Sequence, residues 1–126
     1  DAESRQWVAA IARRKRLEFH VAHKERAGDT DVRVALPEAG YQGRHVVLVD
    51  DIASTGRTLE AASRELGKHG PASVTVMVTH ALFISDALER IRSAGVDEIW
   101  SSDSIPHPTN RIKLAETMAQ AFRDPV

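Results

Sequence analysis

The segment that most constrains this chain is Val46-Val47-Leu48-Val49-Asp50-Asp51-Ile52-Ala53-Ser54-Thr55-Gly56-Arg57-Thr58. A continuous apolar run of this kind is the mark of a strand covered on both faces. It delivers two adjacent carboxylates, then a small polar turn, then a helix expected to start near Thr58, with Leu59, Ala62 and Leu66 at helical spacing. In an open α/β sheet, ligands bind just beyond the carboxyl ends of the strands. The backbone N–H groups of Ser54 to Thr58, with the N-terminus of the following helix, can cradle a phosphate there. Gly56 permits close backbone approach, and the Thr55 and Thr58 hydroxyls add donors. Asp50 and Asp51 would repel a phosphate. They suit ribose hydroxyls, which donate to carboxylates directly or through a hydrated metal. The plain alternative is a strand ending in two acids followed by an ordinary turn, but the order of apolar run, acid pair and Thr-Gly-x-Thr argues against it.

The rest of the chain alternates in the same way. Trp7, Val8 and Ile11 share one face of a helical pattern, closed by the basic run 13–16, which suits the dipole of a helix end. Phe19–Ala22 reads as a short strand, Gly28-Asp29 as a turn, and Val32–Leu36, stopped by Pro37, as an edge strand or arm. Gly70-Pro71 stops the helix after Thr58, and Val74–Val78 is a second buried strand. Ser85 is placed to cap a helix bearing Leu88 and Ile91 and closed by Gly95. A strand at Glu98–Ser101 and a last helix striped by Ile112, Ala115, Ala119 and Phe122 complete the pattern. Strands alternating with helices predict an α/β fold, a mainly parallel sheet flanked by helices, and the 126 residues read as a single domain.

Composition narrows the setting. A net charge of −1 gives no field to draw the chain to nucleic acid or a membrane, so any anion must be held by local geometry. The absence of cysteine excludes disulfides and thiolate-ligated metals and fits a reducing cytoplasm. No apolar stretch reaches the roughly 18 residues of a membrane span, and arginines interrupt every apolar run near the start, unlike a signal peptide.

The 46–58 segment resembles the binding signature for phosphoribosyl diphosphate (PRPP) of the type I phosphoribosyltransferase fold. Two further segments resemble the ribose-phosphate pyrophosphokinases in particular, over roughly Asp1 to Phe122. In His23-Lys24-Glu25-Arg26, on the exit of a strand, the Lys-x-Arg pair is similar to the family's pair that reaches the transferring phosphates. A lysine point charge and an arginine fork can neutralise charge spread over phosphate oxygens. Thr79-His80-Ala81-Leu82-Phe83 with Ser85, and later Ser104-Ile105-Pro106, are similar to the family's Thr-His-Gly-Leu-Phe-Ser and Thr-Ile-Pro; His80 reads as structural. Asp1-Ala2 matches a Pro-Asp-x-Gly-Gly turn whose aspartate helps bind Mg²⁺. Departures are Glu3 and Ser4 in place of two glycines, Ser54 for an aspartate, and Arg57 and Ala81 for glycines.

The resemblance implies ribose 5-phosphate and ATP as substrates, Mg²⁺ as cofactor with Asp1 as metal ligand, and Lys24 and Arg26 as catalytic residues. Asp50, Asp51, Ser54, Thr55, Gly56, Arg57 and Thr58 would bind ribose 5-phosphate. It implies further that the chain is the C-terminal half of a two-domain homo-oligomeric enzyme, without the N-terminal domain and without the first central strand, which would lie between Phe19–Ala22 and Val46–Val49. Two other readings stand beside it. One is a phosphoribosyltransferase that consumes PRPP, which Arg57 suits equally well; the other is a regulatory relative that has lost activity.

Overall fold

The computed structural model describes residues 4–28 and 31–123. Helix α1 spans Arg5–Lys15, with Arg13, Arg14 and Lys15 in its last turn, where cations oppose the helix dipole. Arg16 ends it in the left-handed region at φ 54°, and Leu17 N–H donates back to Ala12 O at 2.9 Å. Ala12 is its one buried residue among those described, and Trp7 and Ile11 stay 59% and 43% exposed. The apolar stripe that shaped this helix therefore has little packed against it.

The expected strand at Phe19–Ala22 does not form. Those residues run without regular structure into the hairpin that follows, with Phe19 half-buried beneath the Arg5 guanidinium. A short segment needs a ladder partner to become a strand, and the regular pairing of the hairpin starts at His23. There, β1 (His23–Ala27) and β2 (Asp31–Ala35) form an antiparallel pair separate from the main sheet. The Lys-x-Arg segment thus lies within a strand, not at the exit of one. The arm expected at Val32–Leu36 is β2, which lies along helix α2 (Arg57–Gly67).

The main sheet has strand order β3-β4-β5-β6 and is parallel throughout. Strand β3 is His45–Ala53, β4 Ser73–Ala81, β5 Glu98–Ser102 and β6 Asn110–Ile112. Helices α2, α3 (Ala87–Ser93) and α4 (Leu114–Arg123) connect or follow them. The core is built on β4, whose Val74, Val76 and Val78 are 3%, 0% and 3% exposed and pack with Leu66, Phe83, Ile91 and Ile99. Strand β3, by contrast, is the terminal strand. Its Val47 and Ile52 are 49% and 47% exposed, so the continuous apolar run is not covered on both faces among the described residues. Chain order alone does not say which strand of a sheet lies at the edge.

Three local expectations are also revised. Helix α3 is capped at Asp86, because Ser85 takes φ 52° and delays the helix by one residue. The Asp86 carboxylate makes no capping bond and instead accepts from Arg90 Nε at 2.9 Å. Ile112 lies in β6, a strand that its apolar pattern did not announce, and the α4 stripe has no buried member, with Phe122 89% exposed.

Candidate anion loop and its surroundings

Parallel pairing of β3 with β4 places Asp50 opposite Val78 and Ile52 opposite His80, at the carboxyl edge of the sheet. Asp50 Oδ1 accepts from Asp51 N–H at 2.9 Å, and Asp51 Oδ1 accepts from Ile52 N–H at 2.7 Å. Burial pushes the Asp50 carboxyl above its ordinary value, and the adjacent Asp51 side chain adds to the rise. The Asp51 N–H and the charge of Lys24 act against it. The charge of Lys24, on a segment widely separated in sequence, thus reaches Asp50.

Beyond β3 the backbone turns its acceptors inward. Ala53 O accepts from the N–H groups of Leu82 and Phe83 at 3.1 and 2.9 Å, and Ser54 O accepts from Ile84 N–H at 3.0 Å. Thr55 O accepts from Arg90 Nη2 at 2.6 Å. The N–H groups of Ser54, Thr55 and Gly56 make no hydrogen bond among the described residues, and that of Arg57 has only a long contact of 3.5 Å to Thr55 Oγ1. With carbonyls tied and amides free, the loop is a set of donors that continues into the unpaired first turn of α2. The helix has no side-chain cap, since its N-cap is Gly56.

Gly56 is fixed for two reasons. Its φ of 74° lies where other residues are strained, and a Cβ there would stand 2.9 Å from Ile91 Cδ1 and 3.3 Å from Ala87 Cβ. The loop is thus seated directly on α3. Thr55 and Arg57 are exposed, and Ser54 and Thr58 half-buried. Beneath them lies a charged cluster that the sequence alone does not disclose. Glu60 Oε2 accepts from Arg90 Nη1 at 2.7 Å, with Arg57 at 3.6 Å from the same oxygen and Arg64 at 3.3 Å from Oε1. Burial pushes the Glu60 carboxyl up, but the hydrogen bonds and charges of Arg90 and Arg64 together outweigh it and hold the group below its usual value. The signals in the sequence are the i,i+3 and i,i+4 spacings of Arg57, Glu60 and Arg64 and of Asp86 and Arg90, which read as surface pairs and say nothing of the Arg90–Glu60 contact.

In the hairpin, Lys24 faces Val34 and Arg26 faces Val32. Residues directly opposite in an antiparallel pair share a face, so both cations lie on the side carrying the two half-buried valines. The other face, with His23, Glu25 and Arg33, is exposed. At the end of β4, His80 Nδ1 bonds Ser104 Oγ at 2.8 Å, and Ser104 Oγ in turn donates to Thr79 O at 3.0 Å. An open cleft between α1 and the sheet edge is lined by Trp7, Ile11, Asp50, Asp51 and His80. Asp1, expected as a metal ligand, lies outside the described residues.

A parallel sheet flanked by helices, with an acid pair and an amide-lined loop at its carboxyl edge, defines an α/β domain of the type I phosphoribosyltransferase fold. The chain belongs to the phosphoribosyl transferase domain family, whose model matches residues 1–109. Among its curated relatives are ribose-phosphate pyrophosphokinases. That of Sulfurisphaera tokodaii is 36% identical over 115 residues, covering 85% of this chain and 40% of the relative. That of Methanopyrus kandleri is 31% identical over 124 residues, covering 98% and 43%. The chain therefore spans about 40% of the length of these relatives. The crystal structure of phosphoribosylpyrophosphate synthetase from Mycobacterium smegmatis superposes with a TM-score of 0.68 at 22% identity, over 92% of this chain and 40% of that one, and shares its fold. No helix among the described residues is long and apolar enough to cross a membrane.

Proposed function

We propose that this chain is the C-terminal, sugar-phosphate-binding half of a two-domain ribose-phosphate diphosphokinase. The reaction is transfer of the β,γ-diphosphoryl group of ATP to the C1 hydroxyl of ribose 5-phosphate. The bond from C1 oxygen to the β-phosphorus forms, the bond from that phosphorus to the α-phosphate oxygen breaks, AMP leaves, and the C1 hydroxyl proton is released to water. The observation that carries the reading is the loop after β3, in which consecutive carbonyls of Ala53, Ser54 and Thr55 are tied to protein donors while the amides of Ser54, Thr55 and Gly56 stay free among the described residues.

In this reading Ser54 to Thr58 hold the 5-phosphate through backbone N–H groups and the Thr55 and Thr58 hydroxyls, with Arg57 adding charge at the rim. Asp50 and Asp51 accept from the ribose hydroxyls. Their carboxylates also fit Mg²⁺, which binds proteins through one or two carboxylates and completes its shell with phosphate oxygens and water. When bound, the ion would neutralise charge on the diphosphoryl oxygens. Lys24 and Arg26 on one face of the hairpin supply the remaining positive charge as the β-phosphorus is attacked in line. The relatives' names support this class of reaction, and a Lys24 close enough to bias Asp50 supports the approach of the hairpin to the sugar end.

The test is AMP release from ATP on adding ribose 5-phosphate, measured on the two-domain protein with Mg²⁺. AMP formed in equal amount to PRPP supports the proposal. Diphosphate release from PRPP with a nucleobase, and no AMP from ATP, would replace it with the transferase reading.

A further inference from the structure

A peptide unit is planar and trans, so the N–H of Gly56 points opposite to the carbonyl of Thr55. The orientation of that one plane decides whether the loop offers an anion a donor or an acceptor. Glycine at position 56 makes the choice poorly determined locally, because a flip of the plane changes ψ of Thr55 and φ of Gly56, and glycine accepts either sign of φ. Something outside the loop has to decide it.

Resting on the phosphate-loop reading above, we infer that Arg90 is a positioning residue that locks the Thr55–Gly56 peptide with its N–H turned toward the bound phosphate. Arg90 Nη2 donates to Thr55 O at 2.6 Å, which draws the carbonyl toward α3 and turns the Gly56 N–H the other way, where it has no partner among the described residues. The guanidinium is itself held at two more points, by Glu60 Oε2 at 2.7 Å on α2 and Asp86 Oδ1 at 2.9 Å at the start of α3. All three bonds use different nitrogens of a rigid planar fork, a geometry that lysine cannot copy. The side chain is only 19% exposed, and Ala87 and Ile91 of the same helix hold the Gly56 Cα from the adjoining side. Arg90 does not touch the ligand; it acts through one amide.

The variants Arg90→Ala and Arg90→Lys, made in the two-domain protein, test this through three readouts. Inorganic phosphate titrated against ¹⁵N-labelled parent should shift the amides of Ser54, Thr55 and Gly56. In Arg90→Ala the Gly56 response should be lost while that of Ser54 persists, and phosphate should bind about tenfold more weakly or worse, as for loss of one donor to a charged group. KM for ribose 5-phosphate should rise by a similar factor with kcat nearly unchanged, and Arg90→Lys should recover little of it. Crystals of the ligand-free variants should show the Thr55 carbonyl reversed or in two orientations. An unchanged carbonyl in both variants, or a Gly56 response equal to the parent's, overturns the role of Arg90. A parent that shows no phosphate response at any loop amide overturns the phosphate-loop reading instead, and the carbonyl direction still judges the lock by itself.

Discussion

The hairpin and the main sheet have opposite physical character, which their strands already carry: β1 is largely charged, and β4 contains no Asp, Glu, Lys or Arg. In β4 every second side chain from Val74 to Val78 is buried, and the strand has hydrogen-bonded neighbours on both edges. In the β1–β2 hairpin no described side chain is buried, and the two strands have only each other. An isolated two-stranded hairpin is marginally stable in water, so what order the hairpin has comes from lying against α2 along β2. The sheet holds the loop after β3 and the acid pair on a rigid base, and the hairpin carries Lys24 and Arg26 on an arm that can open locally at little cost. The difference teaches a division of labour. In the proposed reading, binding geometry rests on burial, while the charge assigned to the transfer step sits where motion is permitted.

The strongest way to break that division is at the hairpin. Lys24→Ala and Arg26→Ala should each lower kcat by roughly 10²-fold or more, as for lost transition-state electrostatics, with ribose 5-phosphate affinity little changed. Melting temperature should stay close to the parent's value, since neither side chain is buried, with only a small fall in Lys24→Ala from loss of the charge that favours ionised Asp50. Steady-state kinetics and a thermal melt on the same preparations decide it. A Lys24 variant that turns over normally removes the catalytic assignment, and an Arg26 variant that melts well below the parent shows the hairpin to be part of the core.

At the sheet the effect should fall on stability. Val76→Ala removes two methyl groups from a fully buried site and should cost about 2 kcal/mol in transfer and cavity terms. Val47→Ala, on the half-exposed terminal strand, should cost less than about 1 kcal/mol by the same reasoning. Urea denaturation of both variants measures the contrast. Equal costs would mean that β3 is covered in solution as fully as β4. Gly56→Ala should fall between the two changes. It forces a Cβ into the left-handed region at a cost of roughly 1–2 kcal/mol, and the 2.9 Å contact with Ile91 Cδ1 is with a movable side-chain end. The same variant should lose phosphate affinity, a pairing that neither valine change shows.

These contrasts also explain what can be read from the sequence. The order from Val46 to Thr58 is legible because every part of it is local: an apolar run, two acids, and a glycine that the turn requires. The helix expected near Thr58 starts one residue earlier, at Arg57. Phe19–Ala22 misleads because a strand is a property of two segments, and the ladder partner is not written in either one. The exposure of β3 is hidden for the same reason, since position in the sheet is set by the other strands. Strand β6 has no apolar pattern because side-chain polar bonds hold its start: Asn110 Nδ2 donates to Ser101 Oγ, Ser102 O and Ile105 O. Arg90 is hidden in a different way. Its reach to Thr55, across 35 positions, exists only once α3 packs beneath the loop.

The smallest expected effect is the one that tests how the two regions touch. Asp50 has its carboxyl raised above the ordinary value, chiefly by burial. For an acid shifted upward, the native state holds the proton more tightly than the unfolded chain does. The stability this confers is present below the unfolded pKa, about 3.9 for aspartate, and is lost as pH rises through the folded value. At neutral pH the ionised Asp50 therefore costs stability. Asp50→Asn keeps an oxygen to accept from the Asp51 N–H but cannot ionise, so it should melt above the parent at pH 7, with the gap closing below about pH 4. Ribose 5-phosphate should bind it more weakly, since a sugar hydroxyl loses a charged acceptor. Lys24 opposes the rise in Asp50, so removing it should make the ionised carboxylate costlier still. The gain from Asp50→Asn should then be larger in a Lys24→Ala background than in the parent, measured as melting temperatures at pH 7 around a double-mutant cycle. If the gain is the same in both backgrounds, the hairpin does not bring Lys24 to the strand end in solution. The charge that the proposed transfer step needs would then have to come from elsewhere.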